Sequence, residues 1–150
     1  MANMTNRDDV HDLDRFLKAQ EPDYERALKE IQSGRKRTHW MWYIFPQFEG
    51  LGSSSVSRRF AIKSVAEAEA YLWHPVLGPR LMACAEAVAA VEGPSAAEIF
   101  DPPDDLKLRS SATLFDLISP PGSVFDRVLA KYFDGQRDQF TLQLVRVSHR

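Results

Sequence analysis

Two stretches of this chain put side chains that neutralise anions next to side chains that cover flat groups. The first runs Arg35-Lys36-Arg37-Thr38-His39-Trp40-Met41-Trp42-Tyr43-Ile44-Phe45-Pro46-Gln47. Arg37 or Lys36 can meet a phosphate or a carboxylate, the arginine through a planar fork of donors. Trp40, Trp42 or Tyr43 can stack on a planar group such as a base. His39 is the candidate acid–base group, because histidine ordinarily changes charge near neutral pH. Gln47 closes the segment with an amide able to donate and accept. The competing reading is that the aromatics are core and that His39 hydrogen-bonds a backbone carbonyl.

The second stretch is Asp104-Asp105-Leu106-Lys107-Leu108-Arg109-Ser110-Ser111-Ala112-Thr113-Leu114-Phe115. Read as a helix, it brings Lys107 beside Ser111 and Ser110 beside Thr113. Small hydroxyl residues are poor helix formers, so either close helix packing or a pocket accounts for these three. Ser–Lys nucleophile chemistry is disfavoured, since the lysine precedes the serine and no oxyanion arrangement can be read. Between the two stretches, Gly50-Leu51-Gly52-Ser53-Ser54-Ser55-Val56-Ser57 offers exposed amides and hydroxyls. It lacks the Gly-Lys-Ser/Thr ending of a P-loop and follows no strand, so a flexible loop with a serine helix cap is expected. His11, His39, His74 and His149 are too scattered to make metal-ligand pairs, and neither a metal nor a cofactor is expected. Cys84 falls on an apolar stripe, where a thiol packs rather than reacts.

The elements that must hold these stretches read as helices almost throughout. Leu13, Phe16 and Leu17 mark one ending near Gln20; Pro22 opens a second, carried by Tyr24, Leu28 and Ile31 and stopped at Gly34. Ser64-Val65-Ala66-Glu67 is a capping-box pattern that starts a helix running to about Trp73. His74-Pro75 punctuates it, because the residue before proline is pushed out of helical geometry. Leu77, Leu81, Cys84, Val88 and Val91 then form one stripe, stopped by Gly93. Ser95-Ala96-Ala97-Glu98 starts a short helix to Phe100. Asp104 or Asp105 is expected to cap the next one, with Leu108, Ala112, Phe115 and Ile118 inward. Ser123 opens another with Val124, Val128 and Leu129 inward. Phe140, Leu144 and Val147 fit a last helix; a lone strand there would have no partner. The expected architecture is all-α, a compact single-domain orthogonal bundle over residues 12–147, with a flexible leader at 1–11 and a tail at 148–150.

Composition narrows the function classes. At 150 residues the chain is one domain long, with 44% hydrophobic and 27% charged residues and a formal net charge of −2. Nucleic-acid binders more often carry a basic excess, so that partner is disfavoured. A single cysteine excludes an intrachain disulfide. No apolar run approaches the roughly 18–20 residues that span a bilayer, and no signal-peptide core is seen near Met1. No membrane association and a cytoplasmic location are expected.

The run Gly34 to Gln47 followed by Gly50-Leu51-Gly52 resembles the signature of the domain-of-unknown-function family numbered 1810. Tyr71-Leu72-Trp73-His74-Pro75-Val76-Leu77-Gly78-Pro79-Arg80-Leu81, Ile99-Phe100 and Asp104 to Phe115 continue the likeness in order, from about Asp12 to Leu144. The resemblance implies a compact, mainly helical single domain and no activity, and it adds His74 to the residues of interest. Members are sometimes labelled calpastatin, yet an inhibitor of that kind is a disordered chain of repeats, unlike this patterned globule. The expected function is binding of an anionic small molecule, nucleotide-like or phosphorylated, where the Arg37–Gln47 segment meets the Lys107–Phe115 helix. Arg37 and Lys107 would neutralise charge, Ser110, Ser111 and Thr113 would donate hydrogen bonds, and Trp40 or Trp42 would stack. The alternative is a protein-interaction module that docks through Arg35–Gln47.

Overall fold

A computed structural model describes residues 9–148. Residues 1–8 of the expected leader, and residues 149–150 with His149, lie outside the described residues. The chain from Asp9 to His11 already belongs to the fold: the Asp9 carboxylate accepts from the Leu13 and Asp14 amides at 2.7 and 2.9 Å.

Ten helices occupy the described residues: α1 (Asp14–Gln20), α2 (Tyr24–Gln32), α3 (Met41–Ile44), α4 (Ser55–Arg59), α5 (Val65–Trp73), α6 (Leu77–Ala90), α7 (Ala96–Phe100), α8 (Asp104–Leu117), α9 (Val124–Phe133) and α10 (Gln139–Ser148). The only pairing of extended backbone among these residues is a parallel bridge between Phe48 and Ile62. Neither it nor the short α3 was expected, whereas the serine cap expected in residues 50–57 is Ser54, whose hydroxyl accepts from the Ser57 amide at the start of α4.

The centre is α8, which packs against α5, α7, α9 and α10, while α6 packs against α2, α5 and α9. Aromatic rings carry the contact between layers. Tyr71 of α5 meets Phe16 of α1 edge-on at 5.0 Å and Phe115 of α8 at 5.6 Å. Both tyrosine ends are served: the ring is in the core, and the hydroxyl accepts from Gln20 Nε2 at 2.9 Å. Burial raises the Tyr71 hydroxyl pKa, so it stays a neutral partner. Cys84 is fully buried in the α6 stripe, and burial pushes its thiol up to about 12.

The serine caps form as expected, with differences. Ser95 and Glu98 complete a reciprocal capping box, and Ser123 caps α9. At Ser64 only half of the box exists, because the Glu67 carboxylate turns instead to Lys63 N and Arg15. Helix α8 is capped by neither expected aspartate: Pro103 holds the cap position without a side-chain bond, and Asp104 and Asp105 sit in the first turn, where carboxylates favour the helix dipole. His74 ends α5 with extended backbone and accepts from the Val76 and Leu77 amides through Nδ1, at 3.0 and 3.2 Å. Gly78 is required at this corner, since a Cβ there would lie 2.0 Å from the Leu72 carbonyl oxygen.

Candidate functional site

The loop leading into α3 is held by a residue that the sequence reading passed over. Glu30, 8% exposed on α2, accepts from the Arg37 and Thr38 amides, the Thr38 hydroxyl and the Trp40 indole N–H, at 2.8, 3.1, 2.8 and 2.9 Å. Burial alone would raise its pKa; the hydrogen bonds from Arg37, Trp40 and Thr38 outweigh that and hold the carboxyl at about 2. One anion thus organises residues 37–40, and it spends the Trp40 N–H in doing so.

Across from this loop lies the start of α8. Asp104 pairs with Lys36 at 3.0 Å and with Lys107 at 3.2 Å, one carboxylate oxygen to each. The Lys36 ammonium stands 5.1 Å from the Trp40 ring centre, and that of Lys107 stands 5.0 Å from Trp42. Both distances are within cation–π range. The two stretches singled out in the sequence therefore meet, and the joint is Lys36–Asp104–Lys107 backed by two indoles.

What faces solvent is narrower than the eleven residues of interest. Trp40 is fully buried against Phe45 and Phe100 and has no face for a ligand. Trp42 is half-buried beneath Lys107. The Tyr43 ring leans on Phe60 at 5.2 Å, and its hydroxyl lies between the Asp23 carboxylate and the His39 carbonyl. Burial and the Asp23 hydrogen bond raise its pKa. Gln47 lines a crevice of only about 20 Å³ beside Trp42, while its backbone carbonyl serves the Phe48–Ile62 bridge. His74 is the cap already described, and burial lowers its pKa, as suits a ring nitrogen that accepts two N–H bonds.

The three hydroxyls of α8 are buried. Ser110 Oγ donates back to the Leu106 carbonyl and Thr113 Oγ1 to that of Arg109, at 3.1 and 2.8 Å. Thr113 also accepts from the Asp138 amide at 3.0 Å, so it helps seat α10. Ser111 Oγ is buried without a hydrogen-bond partner among the described residues. Of the two explanations open for these residues, close packing fits Ser110 and Thr113.

Arg37 and His39 remain, both exposed, on one wall of a cleft of about 170 Å³ whose other wall is Phe100 to Asp104. That volume is below the roughly 300–1,000 Å³ of sites that enclose a drug-sized ligand. Its lining carries the Asp101 and Asp104 carboxylates opposite Lys36, Arg37 and His39.

With this geometry in view, the relatives can be compared. Residues 10–145 match the model of a family described as "Protein of unknown function (DUF1810)". The chain belongs to this family. A solved structure, that of the conserved hypothetical protein Rv1873 from Mycobacterium tuberculosis, is similar at 50% identity, with 91% of this chain and 97% of that one covered and a TM-score of 0.89. No curated protein matches. The fold of this DUF1810 chain is helical, and no helix among the described residues is long and apolar enough to cross a membrane.

Proposed function

We propose that this DUF1810 protein binds a small anionic metabolite, and that its phosphate or carboxylate group enters the cleft between residues 36–39 and 100–104. The observation that supports this reading is the division of labour among the cations. Asp104 occupies Lys36, which joins the two walls, and Lys107 of its own helix. The Arg37 side chain has no ion pair among the described residues and lines the cleft with His39. Binding is the function proposed, and His39 lines the cleft beside Arg37. The docking-module alternative has less to work with, since Trp40 is sealed and Trp42 is half covered.

Calorimetric titration of the full chain with inorganic phosphate, then with AMP, tests the proposal. Binding that weakens at least about ten-fold in Arg37→Ala, a loss of about 1.4 kcal/mol, is the expected result. Equal binding by Arg37→Ala and the unaltered protein would overturn it.

A further inference from the structure

A second and larger cavity, of about 490 Å³, opens where the chain before α1, the end of α4 and the start of α5 come together. Its size falls within the range of small-molecule sites. Its floor is the ion pair of Arg15 and Glu67, 2.7 Å apart with side chains 9% and 3% exposed. Every N–H of the Arg15 guanidinium is used. Nε donates to the Arg59 carbonyl at 2.7 Å, and Nη1 donates to those of His11 and Asp12 at 2.7 and 2.8 Å. Nη2 donates to the Ala61 carbonyl at 2.8 Å and to Glu67.

Arg15 therefore binds no ligand itself. It ties two stretches of backbone, 11–12 and 59–61, around the space, and Glu67 cancels its charge while also accepting from Lys63 N at 3.2 Å. A buried ion pair rarely stabilises more than apolar packing of the same volume would. What the fork of five donors supplies here is a fixed wall, and preformed walls lower the entropic cost of binding.

With the floor neutral, the rim decides the ligand. The exposed side chains of Arg59 and Lys63 and the half-buried His11 line it, against the single carboxylate of Asp12. The first amides of α5, a nine-residue helix that starts at this rim, have no intrahelical acceptor. No Phe, Tyr or Trp lines the cavity, so it offers a nucleobase nothing to stack on. Ser64 and Asp12 can serve hydroxyl groups.

We infer that this cavity is a second binding site, for a phosphorylated, hydroxylated, non-aromatic small molecule of the sugar-phosphate class. The phosphate lies between Arg59 and Lys63, and the polyol faces Asp12 and Ser64. The site is independent of the cleft at Arg37.

The test is calorimetric titration of the full chain with a hexose phosphate, with amide NMR shifts recorded in parallel. Expected are shifts at Val65 and Ala66, with the affinity read from those shifts at least ten-fold weaker in both Lys63→Ala and Arg59→Ala and unchanged in Arg37→Ala. Arg59→Ala keeps the carbonyl that Arg15 uses, so the floor survives it. Absence of binding at millimolar concentration, affinity in both rim variants equal to that of the unaltered protein, or loss confined to Arg37→Ala would each overturn the assignment. AMP bound as tightly as the hexose phosphate, with the same shifts, would overturn the ligand class.

Discussion

At the joint between residues 36–42 and α8, two lysines share one carboxylate and lean on indole faces. Around the larger cavity, one arginine holds two stretches of backbone, and its guanidinium lies 4.4 Å from the ring centre of its neighbour Phe16. Both regions bury cations beside carboxylates, but the chemistry of the cation sets what each can be. A lysine ammonium is a compact point charge that tolerates several partners at loose angles, so Lys36 and Lys107 make an adjustable joint. The Arg15 guanidinium has donors in fixed directions, each matched to a carbonyl or to Glu67, and makes a frame.

Substitutions can break this contrast, starting with the largest expected effect. Arg15→Ala leaves Glu67 buried without its partner and frees the backbone at 11–12 and 59–61, and should cost about 4 kcal/mol in urea denaturation. Arg15→Lys should recover little of that, because one ammonium cannot span the same carbonyls; recovery of most of it would dissolve the distinction between frame and joint. Gly78→Ala, at the opposite end of α5 from the cavity, should cost about 3 kcal/mol through its clash with the Leu72 carbonyl, without altering either region.

Glu30 gives the joint a pH limit. Its carboxyl is held at about 2 in the folded chain against an ordinary 4.5, so the unfolded chain takes up the proton first. The stabilisation is full above about 4.5 and drains away as pH falls toward 2. Glu30→Gln should lower stability at pH 7 by about 2 kcal/mol and flatten that acid limb of the denaturation profile. An acid limb identical in the two proteins would show that Glu30 is not the organiser of residues 37–40. The smallest effect belongs to Lys107. Its pair with Asp104 and its place over Trp42 are partly exposed, so Lys107→Ala should cost about 1 kcal/mol and Lys107→Arg almost nothing, as read from the midpoint of thermal unfolding.

The two regions also differ in how much of them could be read in advance. The joint is built from contiguous runs, Arg35–Gln47 and Asp104–Phe115, whose mixture of cations and aromatics stands out along the chain. Ser95 and Ser123 announced their helices because a cap is a local event. Helices of four or five residues, such as α3 and α4, are too short for a hydrophobic period to declare itself. Burial was the harder matter: the sequence puts Trp40 and Trp42 on equal terms, and only the packing of Phe45 and Phe100 seals one of them. The cavity had no local signal at all. Arg15 is one polar residue on a short helix, and three of its five acceptors lie 44 to 52 residues away at Arg59, Ala61 and Glu67. Glu30 was missed for a similar reason, since nothing around α2 says that its carboxylate turns to the next loop.

The burial of Cys84 has a practical side. Its thiol is inaccessible and held protonated well beyond neutral pH, and it is the only cysteine in the chain. In the native state the surface is therefore silent toward maleimides. A single cysteine introduced on either rim would be the one reactive handle, able to carry a fluorophore or a spin label without removal of the native residue. The two clefts can thus be followed separately, each by its own reporter, in otherwise unaltered protein.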